Sequence, residues 1–158
     1  MMQQNIDDLT HRKATIKDLK KIIGLLLEDD FGSVRENASY NIDQAYIDAF
    51  ERIDSDPAQY LMVVEEYESK VIGTCQLTLI PSLTFVGSTR LQIEAVRVAQ
   101  SYRGKGIGEW MIRQAIEYGK AKGASIIQLT TNKERLRAQK FYESLGFQST
   151  HEGMKILL

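Results

Sequence analysis

The chain is short of the residues that staple or ligate a fold. One cysteine, Cys75, in 158 residues excludes an internal disulfide. With only two histidines, His11 and His151, it leaves no ligand set for zinc. Two prolines, Pro57 and Pro81, mark no linker, and no segment repeats. Long apolar runs are missing too. The patch Ile22-Ile23-Gly24-Leu25-Leu26-Leu27 is far too short to span a bilayer, and the opening MMQQNIDDLTHRK has no secretory apolar stretch. Neither sign of charge dominates. Twenty Lys and Arg stand against 21 Asp and Glu, for a net charge of −1. No global field draws nucleic acid, so that role would need a local patch. The expected setting is a reducing cytoplasm, without metal, nucleic acid or membrane as partner.

What is present is ordinary globular composition, 43% hydrophobic and 26% charged. The length predicts one domain over residues 1–158, with 1–8 as a flexible tail. A short strand is predicted over 9–14. Thr15 then opens a helix with Asp18 three residues on, a capping-box start using Asp for Glu. Leu19, Ile22, Ile23, Leu26 and Leu27 give that helix one apolar face. Residues 31–41 read as a loop and 43–53 as a helix burying Tyr46, Ile47, Phe50 and Ile53. Strands over 60–66 and 71–80 flank a turn at 68–70, a hairpin pattern. A strand over 91–99, a helix over 107–122, a strand over 125–131 and a helix over 135–145 follow. Gly123 and Gly146 close the two helices. Residues 147–158 are expected to add one or two strands. A meander followed by alternating elements predicts a mixed α/β (α+β) domain.

The densest chemistry lies at Val96-Arg97-Val98-Ala99-Gln100-Ser101-Tyr102-Arg103-Gly104-Lys105-Gly106-Ile107-Gly108-Glu109. A strand runs into a glycine turn that opens a helix. Glycine permits positive φ and close backbone approach, and the first helical turn presents free N–H groups. With Arg103 and Lys105 alongside, this is a cradle for a pyrophosphate. No Lys-Ser or Lys-Thr follows Gly108, as a Walker loop requires, and no glycine stands at 109 to complete G-x-G-x-x-G. A tight packing turn is the competing reading.

Arg103-Gly104-Lys105-Gly106-Ile107-Gly108 resembles the R/Q-x-x-G-x-G/A signature of the GNAT N-acetyltransferase superfamily. Leu129-Thr130-Thr131-Asn132 and Ala138-Gln139-Lys140-Phe141-Tyr142-Glu143-Ser144-Leu145-Gly146-Phe147 resemble its second motif at the right separation. The C-terminal half is similar to small bacterial amine acetyltransferases. The resemblance implies a central, mostly antiparallel sheet of six to seven strands flanked by about four helices. It also implies acetyl transfer from acetyl-CoA to an amine, an EC 2.3.1 activity.

On that resemblance, the N–H groups from Arg103 to Glu109, through Gly104, Lys105, Gly106, Ile107 and Gly108, hold the pyrophosphate. Val96, Arg97 and Val98 offer main chain to the pantetheine arm, in the manner of an added strand. An N–H near Val98 polarises the thioester. Asn132 bonds the arm. Tyr142 lies near the sulfur, and a phenol with an ordinary pKa near 10 can protonate the leaving thiolate. Strict alternation would put Gln92, Glu94, Val96 and Val98 on one face. Glu94 is the candidate base, or else an amine-binding carboxylate. Aminoglycoside-type members carry a carboxylate near this offset; histone-type members carry theirs where this chain has Gln92. Glu28, Asp29, Asp30 and Glu36 stand near the expected acceptor entrance. The acceptor is read as a small-molecule amine. A protein N-terminus or lysine, or a silent acyl-CoA sensor, are the alternatives, and a homodimer stays open.

Overall fold

The computed structural model describes residues 6–29, 36 and 41–158. Most of the expected 31–41 loop, and the first five residues, lie outside that range. The expected flexible start is partly structured: Ile6–Asp8 forms a 3-10 turn.

Strand β1 (Thr10–Lys13) leads into a 3-10 turn at Ile16–Asp18 and helix α1 (Leu19–Leu27). The expected start is realised: the Thr15 N–H donates to Asp18 Oδ2 at 2.7 Å. The same carboxylate takes two bonds from Arg12, at 2.7 and 3.0 Å, which pins β1 to the helix start. That guanidinium also holds the Asp18 carboxyl below its ordinary pKa.

Helix α2 (Gln44–Ser55) is capped by Asp43, whose Oδ1 accepts from the Ala45 N–H at 2.9 Å. Strands β2 (Gln59–Glu66) and β3 (Lys70–Pro81) form the expected hairpin. Next comes a four-residue helical turn, α3 (Thr84–Gly87), with Phe85 and Val86 left-handed, which the sequence did not announce. Strand β4 (Thr89–Val98), helix α4 (Ile107–Ala121), strand β5 (Ala124–Leu129) and helix α5 (Leu136–Ser144) complete the described elements.

The sheet is mixed and mostly antiparallel, in the order β1-β2-β3-β4-β5, with only β4 and β5 parallel. Among the described residues it has five strands rather than six or seven. Residues 147–158 form no strand, and Met154, Ile156, Leu157 and Leu158 are exposed. An apolar pattern becomes a strand only when a neighbouring strand takes its hydrogen bonds, and this segment pairs with none of the five.

Two apolar layers hold the sheet between helices. On one face, Ile107, Met111, Ile112 and Ala115 of α4 meet Met62, Ile72, Leu77, Leu91 and Ile93. On the other, Leu19, Ile22, Ile23 and Leu25 of α1 and Phe50 of α2 cover Leu61, Val63 and Val71. The expected α1 face is shifted slightly: Leu25 is buried, while Leu26 and Leu27 are half-buried. Cys75 is fully buried, its Sγ 3.9 Å from Met62 Sδ, and burial pushes its thiol up to about 12.

Candidate active site

The site begins with a break in alternation. Opposite β3, the register of β4 slips between Thr74 and Gln76, and Ala95 takes φ +52°, a left-handed value unusual for alanine. The bulge reverses the phase of the strand. Before it, Leu91 and Ile93 point into the α4 layer, so Gln92 and Glu94 face the other way. After it, Val96 and Val98 join the α4 layer. Glu94 therefore does not share a face with Val96 and Val98, contrary to strict alternation.

The same strand loses a neighbour here. Pairing with β5 runs only from Thr89 to Ile93. Pairing with β3 continues to Val98, and the Ala99 N–H donates to the Ile72 carbonyl at 2.8 Å. In an antiparallel pair, alternate residues turn their backbone groups to opposite edges. Val96 and Val98 thus present theirs to the side that β5 has left. Side chains confirm the direction: the Val96 carbonyl accepts from Arg97 Nη1 at 2.8 Å, and the Val98 carbonyl from Arg103 Nε at 3.1 Å.

A cavity of about 170 Å³ opens there, lined by Asp29, Val96, Arg97, Val98, Arg103 and Arg135. Asp29, just past α1, takes Arg97 Nη2 at 2.9 Å and Arg135 Nη2 at 2.5 Å. Glu28 beside it accepts from the Gln100 N–H at 2.7 Å, and its carbonyl from Arg103 Nη2 at 3.3 Å. Three guanidinium groups thus face one carboxylate, and the cavity keeps a positive balance. Asp29 and Glu28 hold this side of the site together, and Glu36 accepts from the Tyr46 hydroxyl at 2.5 Å. None of these three carboxylates stands idle for an acceptor amine. Asp30 lies outside the described residues.

At the foot of the cavity the 3-10 turn Gln100–Tyr102 leads into the glycines. Gly104 and Gly106 take φ +75° and +82°, conformations that need glycine. The first helical bond runs from the Trp110 N–H to the Gly106 carbonyl at 3.0 Å, so the N–H groups of Ile107, Gly108 and Glu109 lie ahead of it. The Arg103 N–H is spent on the Gln100 carbonyl at 3.3 Å, which removes it from the expected cradle. Lys105 Nζ lies 5.2 Å from the centre of the Tyr102 ring, and the Tyr102 hydroxyl bonds Glu66. Ile107 is buried, while Glu109 is held by Arg113 at 2.8 Å. A Cβ at Gly108 would meet Phe141 at 3.5 Å, so α4 and α5 touch beside the turn.

Tyr142 is half-buried among Phe141 and Phe147, with ring centres 5.1 and 5.8 Å away. Burial raises its pKa, while Arg97 and Arg135 oppose the rise. Tyr142 packs against the same apolar layer as Val96 and Val98. Asn132 is exposed, and its Oδ1 accepts from the Glu134 N–H at 2.9 Å, an Asx turn ahead of α5. Glu94 is exposed and stands opposite Gln76. The histidines stay out of the site: His11 packs with Tyr60 and Trp110, and His151 is exposed beside Thr150. Of the expected residues, Val96, Arg97, Val98 and Arg103 line one opening; the glycine turn follows Arg103 in the chain, and Tyr142 is not among the lining residues. Arg135 was missed, and Asp29 was expected at the acceptor entrance rather than as the partner of two arginines, because nothing local marks a contact between positions 106 residues apart.

Comparison with known proteins bears on the family and the fold. In sequence, N-acetyltransferase 8B of Homo sapiens is 33% identical over 87 residues, 55% of this chain. A glucosamine 6-phosphate N-acetyltransferase of Trypanosoma brucei brucei is 32% identical over 87 residues, again 55% of the chain. The chain spans 38% and 57% of the lengths of these two curated relatives. In structure, a transcriptional regulator from Bacillus halodurans C-125 superposes with a TM-score of 0.91 at 39% identity, over 95% of this chain and 99% of that one. The sequence model of the Acetyltransferase (GNAT) family matches residues 22–147, which span the bulged strand, the glycine turn and Tyr142, and the chain belongs to that family.

Proposed function

We propose that this chain transfers an acetyl group from acetyl-CoA to a primary amine of a small molecule. One observation carries the reading: the backbone edge of Val96 and Val98 opens, without a β5 partner, onto a positively balanced cavity above the glycine turn. An extended amide-bearing arm can add to that edge as a strand does. A pyrophosphate at its end meets the N–H groups of Ile107, Gly108 and Glu109 and the positive end of α4. Gly104, Gly106 and Lys105 shape and charge that end. Arg97 and Arg103 supply further charge, and the Asn132 amide nitrogen is a donor left over from its turn.

Acetyl-CoA supplies the activated acyl group, and this chain's residues manage its protons. The amine nitrogen forms a C–N bond to the acyl carbon, and the C–S bond breaks. Tyr142, whose raised pKa keeps it protonated at neutral pH, gives its proton to the departing thiolate. The Val98 N–H, at the open edge, stabilises charge on the acyl oxygen. Glu94, on the opposite face of the bulged strand, takes the proton lost by the amine. The Glu94→Gln variant separates base from binder: the acidic limb of the pH–rate profile disappears in the first case, and only the amine KM rises in the second.

The relatives named for glucosamine 6-phosphate support a small acceptor over a protein. Thiol release by purified protein with acetyl-CoA and a panel of amines, beside a lysine peptide, tests the reading. Release that requires a small amine supports it; release only with the peptide replaces the acceptor class. A second reading, a regulator that binds acyl-CoA without turnover, is favoured by the description of the Bacillus halodurans neighbour. It predicts acetyl-CoA binding with no thiol release for any amine.

A further inference from the structure

A second recess, of about 110 Å³, lies between α1, α2 and the sheet. Leu19, Ile23, Phe50 and Leu61 form its floor and walls, all buried. Ala49 of α2 and Ala95 of the β4 bulge also line it and are exposed, which places them at its mouth. Glu94 precedes Ala95 and stands opposite Gln76, itself a lining residue. The recess therefore opens beside the candidate base, on the face of β4 turned away from the α4 layer.

Among the described residues, its few polar donors are already bonded inside the protein. The Thr74 hydroxyl donates to the Met62 carbonyl at 2.8 Å, and the Gln76 amide to Gln59 Oε1 at 3.0 Å. The Tyr46 hydroxyl donates to Glu36. The Cys75 thiol is held near Met62 Sδ. A sugar hydroxyl or a phosphate entering here would lose its water for no replacement, at a cost of several-fold in affinity for each group. An alkyl group loses nothing and gains burial.

We infer that this recess is the acceptor-side subsite and takes a compact apolar group of about four carbons, carried by the amine whose nitrogen stays at the mouth near Glu94. The size follows from proportion, since a cavity of about 150 Å³ holds the six carbons of benzene. The inference rests on the acetyltransfer reading and narrows its acceptor to a branched alkylamine, as against an amino sugar phosphate or a polyamine.

The test compares methylamine, ethylamine, propylamine, isobutylamine, ethanolamine and glucosamine 6-phosphate as acceptors. From methylamine to isobutylamine, kcat/KM should rise about fourfold per added carbon, the equivalent of about 0.8 kcal/mol per buried methylene. Ala49→Leu fills the mouth and should bring the isobutylamine-to-methylamine ratio within threefold of unity. Ile23→Val enlarges the recess and should move the optimum from isobutylamine to isopentylamine, added to the series for this variant. Preference for ethanolamine or glucosamine 6-phosphate over isobutylamine would overturn the inference while leaving acetyl transfer intact. A thermal shift with isobutylamine alone, present in the native chain and lost in Ala49→Leu, reads the recess without turnover. Thiol release from no amine would count against acetyl transfer itself, and the thermal shift would still decide the recess: its absence overturns the inference.

Discussion

Gly119→Ala sets two opposing effects against each other on the helix that carries the cradle. Gly119 is buried on α4 where the helix packs against Leu91 and Ile127 of the sheet. An added Cβ would sit 2.9 Å from Ile127 Cδ1, 3.0 Å from Leu91 Cδ2 and 3.3 Å from Leu91 Cβ. The Ile127 methyl is the far end of a half-buried side chain and can swing away. Leu91 is fully buried, and its Cβ moves only with the strand. Overpacking of this kind costs about 1–3 kcal/mol. Replacing glycine inside a helix returns about 1 kcal/mol. The net expectation is a loss of about 1 kcal/mol, or about 2–4 °C in Tm for a chain of this size. Urea unfolding followed by circular dichroism measures it, with an unchanged m-value showing that the native and unfolded states keep their compactness. A gain of about 1 kcal/mol, as at an open helix position, would show that α4 is not seated this tightly and would undo the placement of its N-terminus.

Three further outcomes follow from the site and its scaffold. Tyr142→Phe keeps the ring and its packing, so kcat should fall about 10²–10⁴-fold with acetyl-CoA affinity little changed; a loss under about threefold leaves Tyr142 a packing residue. Gly106→Val puts a branched side chain at φ +82° with its Cβ 3.0 Å from Ile6 Cδ1, and calorimetric titration should show a large loss of acetyl-CoA affinity; unchanged affinity makes the turn purely structural. The Asp18 carboxyl has a folded pKa below its unfolded one, so its contribution is full above about pH 4 and is lost as pH falls through the folded value. Urea midpoints for the native chain should therefore fall more steeply below pH 4 than those for Asp18→Asn; equal slopes refute the Arg12–Asp18 linkage.

Local signals carried much of this structure. Thr15 with Asp18, and Gly123 and Gly146 at φ +81° and +95°, each act within one turn of chain, and each was read correctly. The helical patterns placed the core faces of α1 and α2 to within a residue for the same reason. What failed depended on distant partners. The bulge at Ala95 is invisible because alanine has no preference for φ +52°; the slip is imposed by pairing with β3. That one residue moved Glu94 to the other face from Val96 and Val98. The ion pairs of Asp29 with Arg97 and Arg135 join three separate segments, and charge alone does not say which residues will meet. The last residues, ending in Ile156, Leu157 and Leu158, suggested a strand, but an apolar pattern does not say whether a neighbour will pair with it.

The central claim is that acetyl-CoA lies along the open edge of β4 with its pyrophosphate on the glycine turn. Backbone amide NMR of the isotopically labelled protein, titrated with acetyl-CoA, tests it most directly. The account predicts the largest shifts at the N–H groups of Val96, Val98, Ile107, Gly108 and Glu109, with those of β1 and α2 unmoved. Saturable shifts centred elsewhere, or none at millimolar acetyl-CoA, would contradict it.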